Sequence, residues 1–121
     1  MNNNFRGYQD FTAWKKSMEL VKIIYEITQH FPKEEIYGLT SQMRRSVVSI
    51  PSNIAEGYRR GTKREFSHFL RIAYGSGAEL ETQLDISKML NFCDNKVLDD
   101  AYVLMNEVMK LLNTMIKNPS I

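Results

Sequence analysis

The chain has 121 residues, 43% of them hydrophobic and 25% charged, with a formal net charge of +2 at pH 7. This size and balance predict one soluble globular domain with a core of its own. The single cysteine, Cys93, excludes an internal disulfide framework and a cysteine-only zinc site.

No apolar run reaches the roughly 18 residues that a membrane-spanning helix needs. The start, "MNNNFRGYQD", lacks the apolar core of a signal peptide, so the sequence predicts a cytoplasmic protein that does not associate with membranes. We interpret residues 1–9 as a flexible N-terminal arm.

A first helix is predicted over residues 11–30. Its apolar positions Trp14, Met18, Val21 and Tyr25 step by four, three and four residues, which is the spacing of one helical face. A second apolar row runs beside them and widens that face toward several neighbours. Pro32 then ends the helix.

The second helix is predicted over residues 39–60, with Met43, Val47, Ile50 and Ile54 on one face. Pro51 lies in its interior and cannot donate an amide hydrogen to the carbonyl of Val47. We therefore expect a kink, with nearby serine hydroxyls returning a hydrogen bond to the freed carbonyl.

A tight turn joins the second helix to a third, predicted over residues 63–90. Gly61 suits a left-handed position after a helix end, and Thr62 with Glu65 has the spacing of a capping box. The glycines of "YGSGAE" in the middle of this helix are unfavourable by about 1 kcal/mol each. Close approach of another helix, such as the one that contains Pro51, explains them, and a flexible break is the alternative.

The last helix is predicted over residues 95–117, after the turn "NFCDN" with Asp94 or Asn95 as its N-cap. No stretch alternates as a β-strand does. Short connections between long helices favour antiparallel neighbours. The sequence thus predicts an all-α protein, an antiparallel up-down-up-down four-helix bundle in a single domain over residues 1–121.

Charge is unevenly distributed along this bundle. Residues 39–71 hold seven basic and two acidic side chains, whereas residues 72–121 hold four basic and seven acidic ones. Such asymmetry indicates a charged partner rather than a fold.

No pattern of a catalytic or metal site is present. His30 and His68 have no carboxylate or cysteine at ligand spacing, and no phosphate-binding loop follows a strand. No base and orienting acid accompany the serines of the second helix. We therefore predict a protein that is not an enzyme and has no catalytic residues, bound metal or cofactor.

The basic cluster is the candidate binding site. Lys63 and Arg64 open a helix, where cations are unfavourable by about 0.3–1 kcal/mol each, but where free amides favour an anion such as phosphate. We predict nucleic-acid contacts from six residues: Arg44, Arg45, Arg59, Arg60, Lys63 and Arg64. Tyr58 is a candidate for stacking or packing. The simpler interpretation is a solvated basic face that the acidic last third balances, either in the same chain or in a neighbouring subunit.

Three stretches carry a resemblance to a known family: "YGLTSQMRRS", "SIPSNIAEG" and "YGSGAELETQL". Over residues 8–90 the chain resembles the bacterial 23S rRNA intervening-sequence proteins. The resemblance implies a four-helix bundle that assembles into a homopentamer. It also extends to the accessory variability protein of diversity-generating retroelements, in which a basic pentameric barrel binds nucleic acid and a reverse transcriptase.

The same resemblance gives a second set of residues a role in the subunit interface or in the kink of the second helix. These are Val48, Ser49, Pro51, Ser52, Asn53, Glu56 and Gly57.

Three functions follow as hypotheses. The first is an oligomer that binds RNA or DNA, with structured RNA favoured. The second is an adaptor whose basic face docks on an acidic protein. The third is a structural oligomer whose arginines form ion pairs between subunits.

Overall fold

A computed structural model describes residues 6–120 of the chain. Within this range the protein is entirely helical, with four α-helices: α1 (Thr12–Thr28), α2 (Leu39–Arg59), α3 (Lys63–Met89) and α4 (Asn95–Lys117). Two short 3-10 helices, Tyr8–Asp10 and Lys33–Glu35, precede α1 and α2. The predicted fold class is confirmed, and each helix begins and ends within two residues of its predicted bounds.

Each helix packs against two others in cyclic order, α1 on α2, α2 on α3, α3 on α4 and α4 on α1. Short connections make these neighbours antiparallel, so the bundle has two different ends. One end carries the α2–α3 turn, the start of α1 and the end of α4, and we call it the turn end. The opposite end carries the α1–α2 and α3–α4 connections, and we call it the loop end.

The core contains the whole predicted face of α2 but only half of the predicted face of α1. Leu20, Ile24 and Ile27 are fully or almost fully buried. Met18 and Tyr25, by contrast, are 43% and 42% exposed. The row that contains them therefore lies beside the core, at the edge between α1 and α2, because α1 contacts only two neighbours.

Helix α2 continues through Pro51 without interruption. The hydroxyl of Ser52 donates to the carbonyl of Val48 at 2.8 Å, and the Asn53 amide donates to the carbonyl of Ser49 at 2.8 Å. These side chains thus donate to the carbonyls of Val48 and Ser49. The carbonyl of Val47, which loses its amide donor at Pro51, receives neither hydrogen bond. The bend of the helix stays a prediction.

Helices α2 and α3 approach each other closely at Gly57. A Cβ atom there would lie 2.5 Å from the Cβ of Phe69 and 3.3 Å from the carbonyl oxygen of Phe66. Farther along the pair, the hydroxyls of Ser49 and Ser76 form a hydrogen bond of 2.8 Å. Only small residues allow two helix backbones to come this near, so Gly57 fixes the contact beside the turn.

The glycines inside α3 mark a different contact from the one predicted. The helix is continuous, and a Cβ atom on Gly77 would collide with the side chain of Met109 in α4. The close approach therefore involves α4 and not the proline-containing α2. Gly75 faces open space, since a Cβ atom on it would meet no other atom within 4 Å.

Helices α3 and α4 are also joined by a hydrogen bond of 2.5 Å that Tyr102 donates to Asp85. Partial burial and this carboxylate raise the pKa of Tyr102 well above its usual value near 10. The folded protein thus holds the phenol proton at a pH where the unfolded chain loses it.

Because the folded pKa is the higher one, this contribution to stability is complete below about pH 10 and is lost as pH rises further. We expect the Tyr102→Phe variant to lose about 1 kcal/mol of stability at neutral pH and to decline less steeply than wild type above pH 10. Urea unfolding across alkaline pH measures this difference, and parallel curves for the two proteins would contradict it.

Residues 1–5 of the predicted N-terminal arm lie outside the described residues. From Arg6 onward the chain is packed: the Tyr8 ring contacts that of Trp14 at a centroid distance of 5.7 Å, and Arg6 pairs with Asp10 at 3.5 Å. Among the helices of residues 6–120, none has an apolar stretch that could cross a bilayer.

Candidate nucleic-acid interface

The α2–α3 turn is built by local capping. Helix α2 ends at Arg59, and Gly61 adopts the left-handed conformation with φ of 89°. The hydroxyl of Thr62 then accepts a hydrogen bond of 3.1 Å from the amide of Glu65 at the start of α3. The turn predicted from the sequence is therefore the turn that forms, and it places four basic side chains within six residues.

Arg60 is held by its own chain. Its guanidinium lies 2.8 Å from a carboxylate oxygen of Glu56 and 3.9 Å from one of Glu65, and it packs over the ring of Phe69. These carboxylates raise the pKa of Arg60, with the hydrogen bond that Arg60 donates to Glu56 as the main cause. Arg60 thus braces the turn, and two carboxylates of its own chain lie beside its positive charge.

Arg59 and Tyr58 are positioned by the aromatic cluster below the turn. The Arg59 guanidinium lies 5.4 Å from the ring centroid of Tyr8 and remains exposed. The ring of Tyr58 packs edge-on against Phe11 and Phe66 at 5.5 and 5.9 Å. Tyr58 therefore has the packing role, while Arg59 presents its charge to solvent from a fixed base.

Lys63 and Arg64 are exposed in the first turn of α3. Within residues 6–120 they form no ion pair, although Glu65 is adjacent in sequence. The first amides of a helix also lack partners inside that helix, so this position attracts anions. Together with Arg59, these two residues form the accessible part of the cluster, which we call the basic turn.

Arg44 and Arg45 lie well away from the basic turn. Arg44 precedes Arg59, and Arg45 precedes Arg60, by 15 residues. Fifteen residues of helix span about 22 Å. Arg44 donates from Nε to the Thr28 hydroxyl at 2.9 Å and packs over the Tyr25 ring at 4.6 Å. Arg45 is exposed. The six predicted residues thus form two separate sites, near opposite ends of α2.

Lys117 is a further basic residue at the turn end, outside the six predicted from the sequence. Lys117 ends α4, and the neighbouring Ile116 carbonyl accepts a hydrogen bond of 3.5 Å from Ser67 in α3. This contact brings the end of α4 beside the start of α3. The predicted up-down-up-down topology already places the end of the fourth helix beside the start of the third. The sequence could therefore have indicated that Lys117 lies near the turn.

The residues assigned to an interface or kink fall into two groups, those that are packed within the bundle and those that are exposed. Ser49, Asn53 and Gly57 are buried or half-buried and face α3 or the helix backbone. Pro51 is buried on the side of α2 that faces α1. The exposed members are Val48, Ser52 and Glu56, and Glu56 is paired with Arg60. Only Val48 and Ser52 of this set thus remain available to a partner.

These two residues line an apolar groove between α1 and α2. Its walls include Trp14, Met18 and Val21 from α1, and Val48 is 40% exposed there. The groove encloses about 340 Å³. Exposed apolar surface that is continuous along two helices is typical of a protein contact.

No group of three or more histidine, cysteine or acidic residues that could hold a metal ion occurs in the described part of the chain. Cys93 is half-buried, and burial together with Asp94 raises the pKa of its thiol. The thiol is therefore protonated and unreactive at neutral pH.

Comparison with known proteins identifies a family and a similar solved structure. The family model described as 23S rRNA-intervening sequence protein matches residues 9–114. A crystal structure described as a protein with unknown function from the S23 ribosomal protein family, from Bacteroides thetaiotaomicron VPI-5482, has a TM-score of 0.80 and 24% sequence identity. That match covers 88% of this chain and 96% of the other, and it shows the shared fold. No curated protein matches the chain.

Proposed function

Since the chain belongs to the family of 23S rRNA-intervening sequence proteins, we propose that it is a non-enzymatic oligomer that binds structured RNA. The basic turn of Arg59, Lys63 and Arg64 contacts phosphates, and the apolar groove between α1 and α2 contacts the next subunit. Arg45 forms a second, smaller contact with the RNA from the other end of α2.

The basic turn is the observation that carries the proposal. Two exposed cations, Lys63 and Arg64, begin a 27-residue helix, where the helix dipole disfavours positive charge, and the exposed Arg59 ends the helix before the turn. A phosphate placed between them interacts favourably both with the cations and with the free helix amides. A surface without an anionic ligand gains nothing from this arrangement.

Assembly into a ring multiplies this weak contact. The homopentamer implied by the family resemblance repeats the basic turn in each subunit, and the apolar groove supplies an uncovered surface for the subunit contact. Linked binding events raise the overall affinity without any new type of contact. The basic turns of the ring thus contact phosphates, which carry no sequence information.

Fluorescence anisotropy of a labelled, structured RNA at about 50 and about 200 mM salt tests the proposal, because each phosphate contact releases counterions. Light scattering on the same samples gives the mass of the assembly. Binding that weakens steeply with salt supports the proposal. A flat salt response, or no binding by the intact oligomer, contradicts it.

Arg60 forms ion pairs with carboxylates and Arg64 does not, and this difference gives a sharper prediction. We expect Arg64→Ala to reduce the salt slope of RNA binding by about one for each subunit that engages the RNA, because it removes one phosphate contact per subunit. Arg60→Ala should leave the slope nearly unchanged, since its charge is already paired with Glu56 and Glu65. Equal effects of the two substitutions in the same titration would show that pairing does not decide which arginine binds.

An acidic protein is the second candidate partner, because the basic turn is equally accessible to carboxylates. An adaptor of this kind retains one protein from a nuclease-treated lysate and binds neither RNA nor DNA.

If the arginines instead join subunits, reversing the charge of Arg59 dissociates the assembly, which light scattering detects.

A further inference from the structure

A polar groove runs along the seam between α2 and α3, between the Ser49–Ser76 hydrogen bond and the loop end. It encloses about 370 Å³, within the range of about 300–1,000 Å³ that is typical of small-ligand sites. Gln42 and Arg45 of α2 and Glu79 and Gln83 of α3 line it. Unlike the apolar groove on the other side of α2, it is lined only by residues whose side chains carry a hydrogen-bonding group.

Gln83 is the unusual member of this lining. Its side chain is 9% exposed, and its Oε1 atom is buried without a hydrogen-bond partner within residues 6–120. Native proteins pair nearly all such atoms, so an unpaired one calls for a ligand or an ordered water. The terminal amide of glutamine rotates easily and can turn this acceptor toward the groove.

Arg45 and Glu79 line the same groove with opposite charges. Both are exposed, and in the described part of the chain they form no ion pair with each other or with a third residue. The groove therefore offers a fork of donors on its α2 side and a charged acceptor on its α3 side. Its ligand must carry acceptors and donors on different edges.

We infer that the groove binds one unpaired guanine base of the RNA, an inference that rests on the proposed function. Arginine donates two hydrogen bonds to O6 and N7 of guanine, which matches Arg45. The N2 amino group and the N1–H donor lie on the Watson–Crick edge of the base, toward the acceptors of Glu79 and Gln83. Adenine fits less well because it places the N6 amino donor beside N7, where Arg45 also donates.

This assignment gives the two basic regions different tasks. The basic turn contacts phosphates, which position RNA without reading its sequence. Arg45 lies about 22 Å away along α2 and contacts a base edge, which does carry sequence information. A flexible single-stranded loop of RNA reaches both regions and exposes an unpaired base.

Two labelled hairpin RNAs that differ only in one loop base, guanine or adenine, test the inference by anisotropy at fixed salt. We expect wild type to bind the guanine hairpin about tenfold more tightly, the discrimination typical of one good bidentate pair. Glu79→Ala and Gln83→Leu should bring this ratio close to one and leave affinity for the adenine hairpin unchanged.

Glu81→Ala is the matched control, because Glu81 lies two residues away on α3 and does not line the groove. It should keep the wild-type ratio. Since Glu79 is exposed, Glu79→Ala reports on the groove even if Gln83→Leu does not fold. Circular dichroism and light scattering establish the folding and mass of each variant.

Three outcomes overturn the inference: a wild-type ratio near one, a ratio that survives both groove substitutions, or a change of assembly mass in Glu79→Ala. The last would make the groove part of a subunit contact. Absence of binding to either hairpin at low salt contradicts the proposed function itself, and so the two failures are distinguishable.

Discussion

Replacing Arg59, Lys63 and Arg64 together with alanine should abolish most of the salt-dependent RNA binding. With three phosphate contacts, affinity falls by about 20- to 40-fold between about 50 and about 200 mM salt. The triple variant lacks these contacts, so its titrations at the two salt concentrations should nearly coincide. At the lower concentration we expect its affinity to be at least about tenfold below that of wild type.

A variant with the same loss of charge at the loop end controls for net charge. Lys33, Lys88 and Lys96 are exposed, and their helices or loops reach that end of the bundle. Replacing these three with alanine should leave the salt slope close to that of wild type. If both triple variants lose the same salt dependence, overall charge attracts the RNA and the basic turn is not its site.

The Gly57→Ala variant should be less stable than the Gly75→Ala variant by about 3 kcal/mol. Both substitutions remove a glycine from a helix, and each gains about 1 kcal/mol from the higher helix propensity of alanine. They differ in surroundings, since the new methyl group meets Phe69 at position 57 and no atom at position 75. The Cβ of Phe69 cannot rotate away, and so α2 and α3 must separate.

Urea unfolding of the two variants and wild type measures this difference. The Gly75→Ala protein should be slightly more stable than wild type, which shows that the glycine itself is not required in α3. Equal stability of the two variants would mean that α2 and α3 separate at Gly57 without loss of stability. Their close approach would then not be what orders the α2–α3 turn.

The fold was predictable because its determinants are local and periodic. The buried face of α2, the left-handed Gly61 and the Thr62 cap all follow from spacing and from backbone chemistry. The pairing of Glu56 with Arg60 also has the i, i+4 spacing that the sequence displays. That spacing alone is enough to separate Arg60 from the accessible cations of the turn.

Contacts between helices were much less predictable. Periodicity assigns a residue to a face but does not say which neighbour covers that face. The helix that contacts Gly77 was therefore predicted to be α2, whereas it is α4. Met18 and Tyr25 were likewise predicted on the buried face, whereas both are exposed. The attachment of Arg44 to Thr28 joins residues 16 positions apart. Such a contact depends on how two helices are rotated about their axes, which packing of the whole bundle determines.

Several contacts around the basic turn join residues that are close along the chain, although Tyr58 and Arg59 also pack against Phe11 and Tyr8. Gly57 meets Phe66 and Phe69, and Arg60 pairs with Glu56 and Glu65. Local contacts close small loops, and so they form early and quickly during folding. We expect the α2–α3 hairpin to form its turn while α4 is still being synthesised, so that a nascent chain already carries its basic turn before the bundle closes.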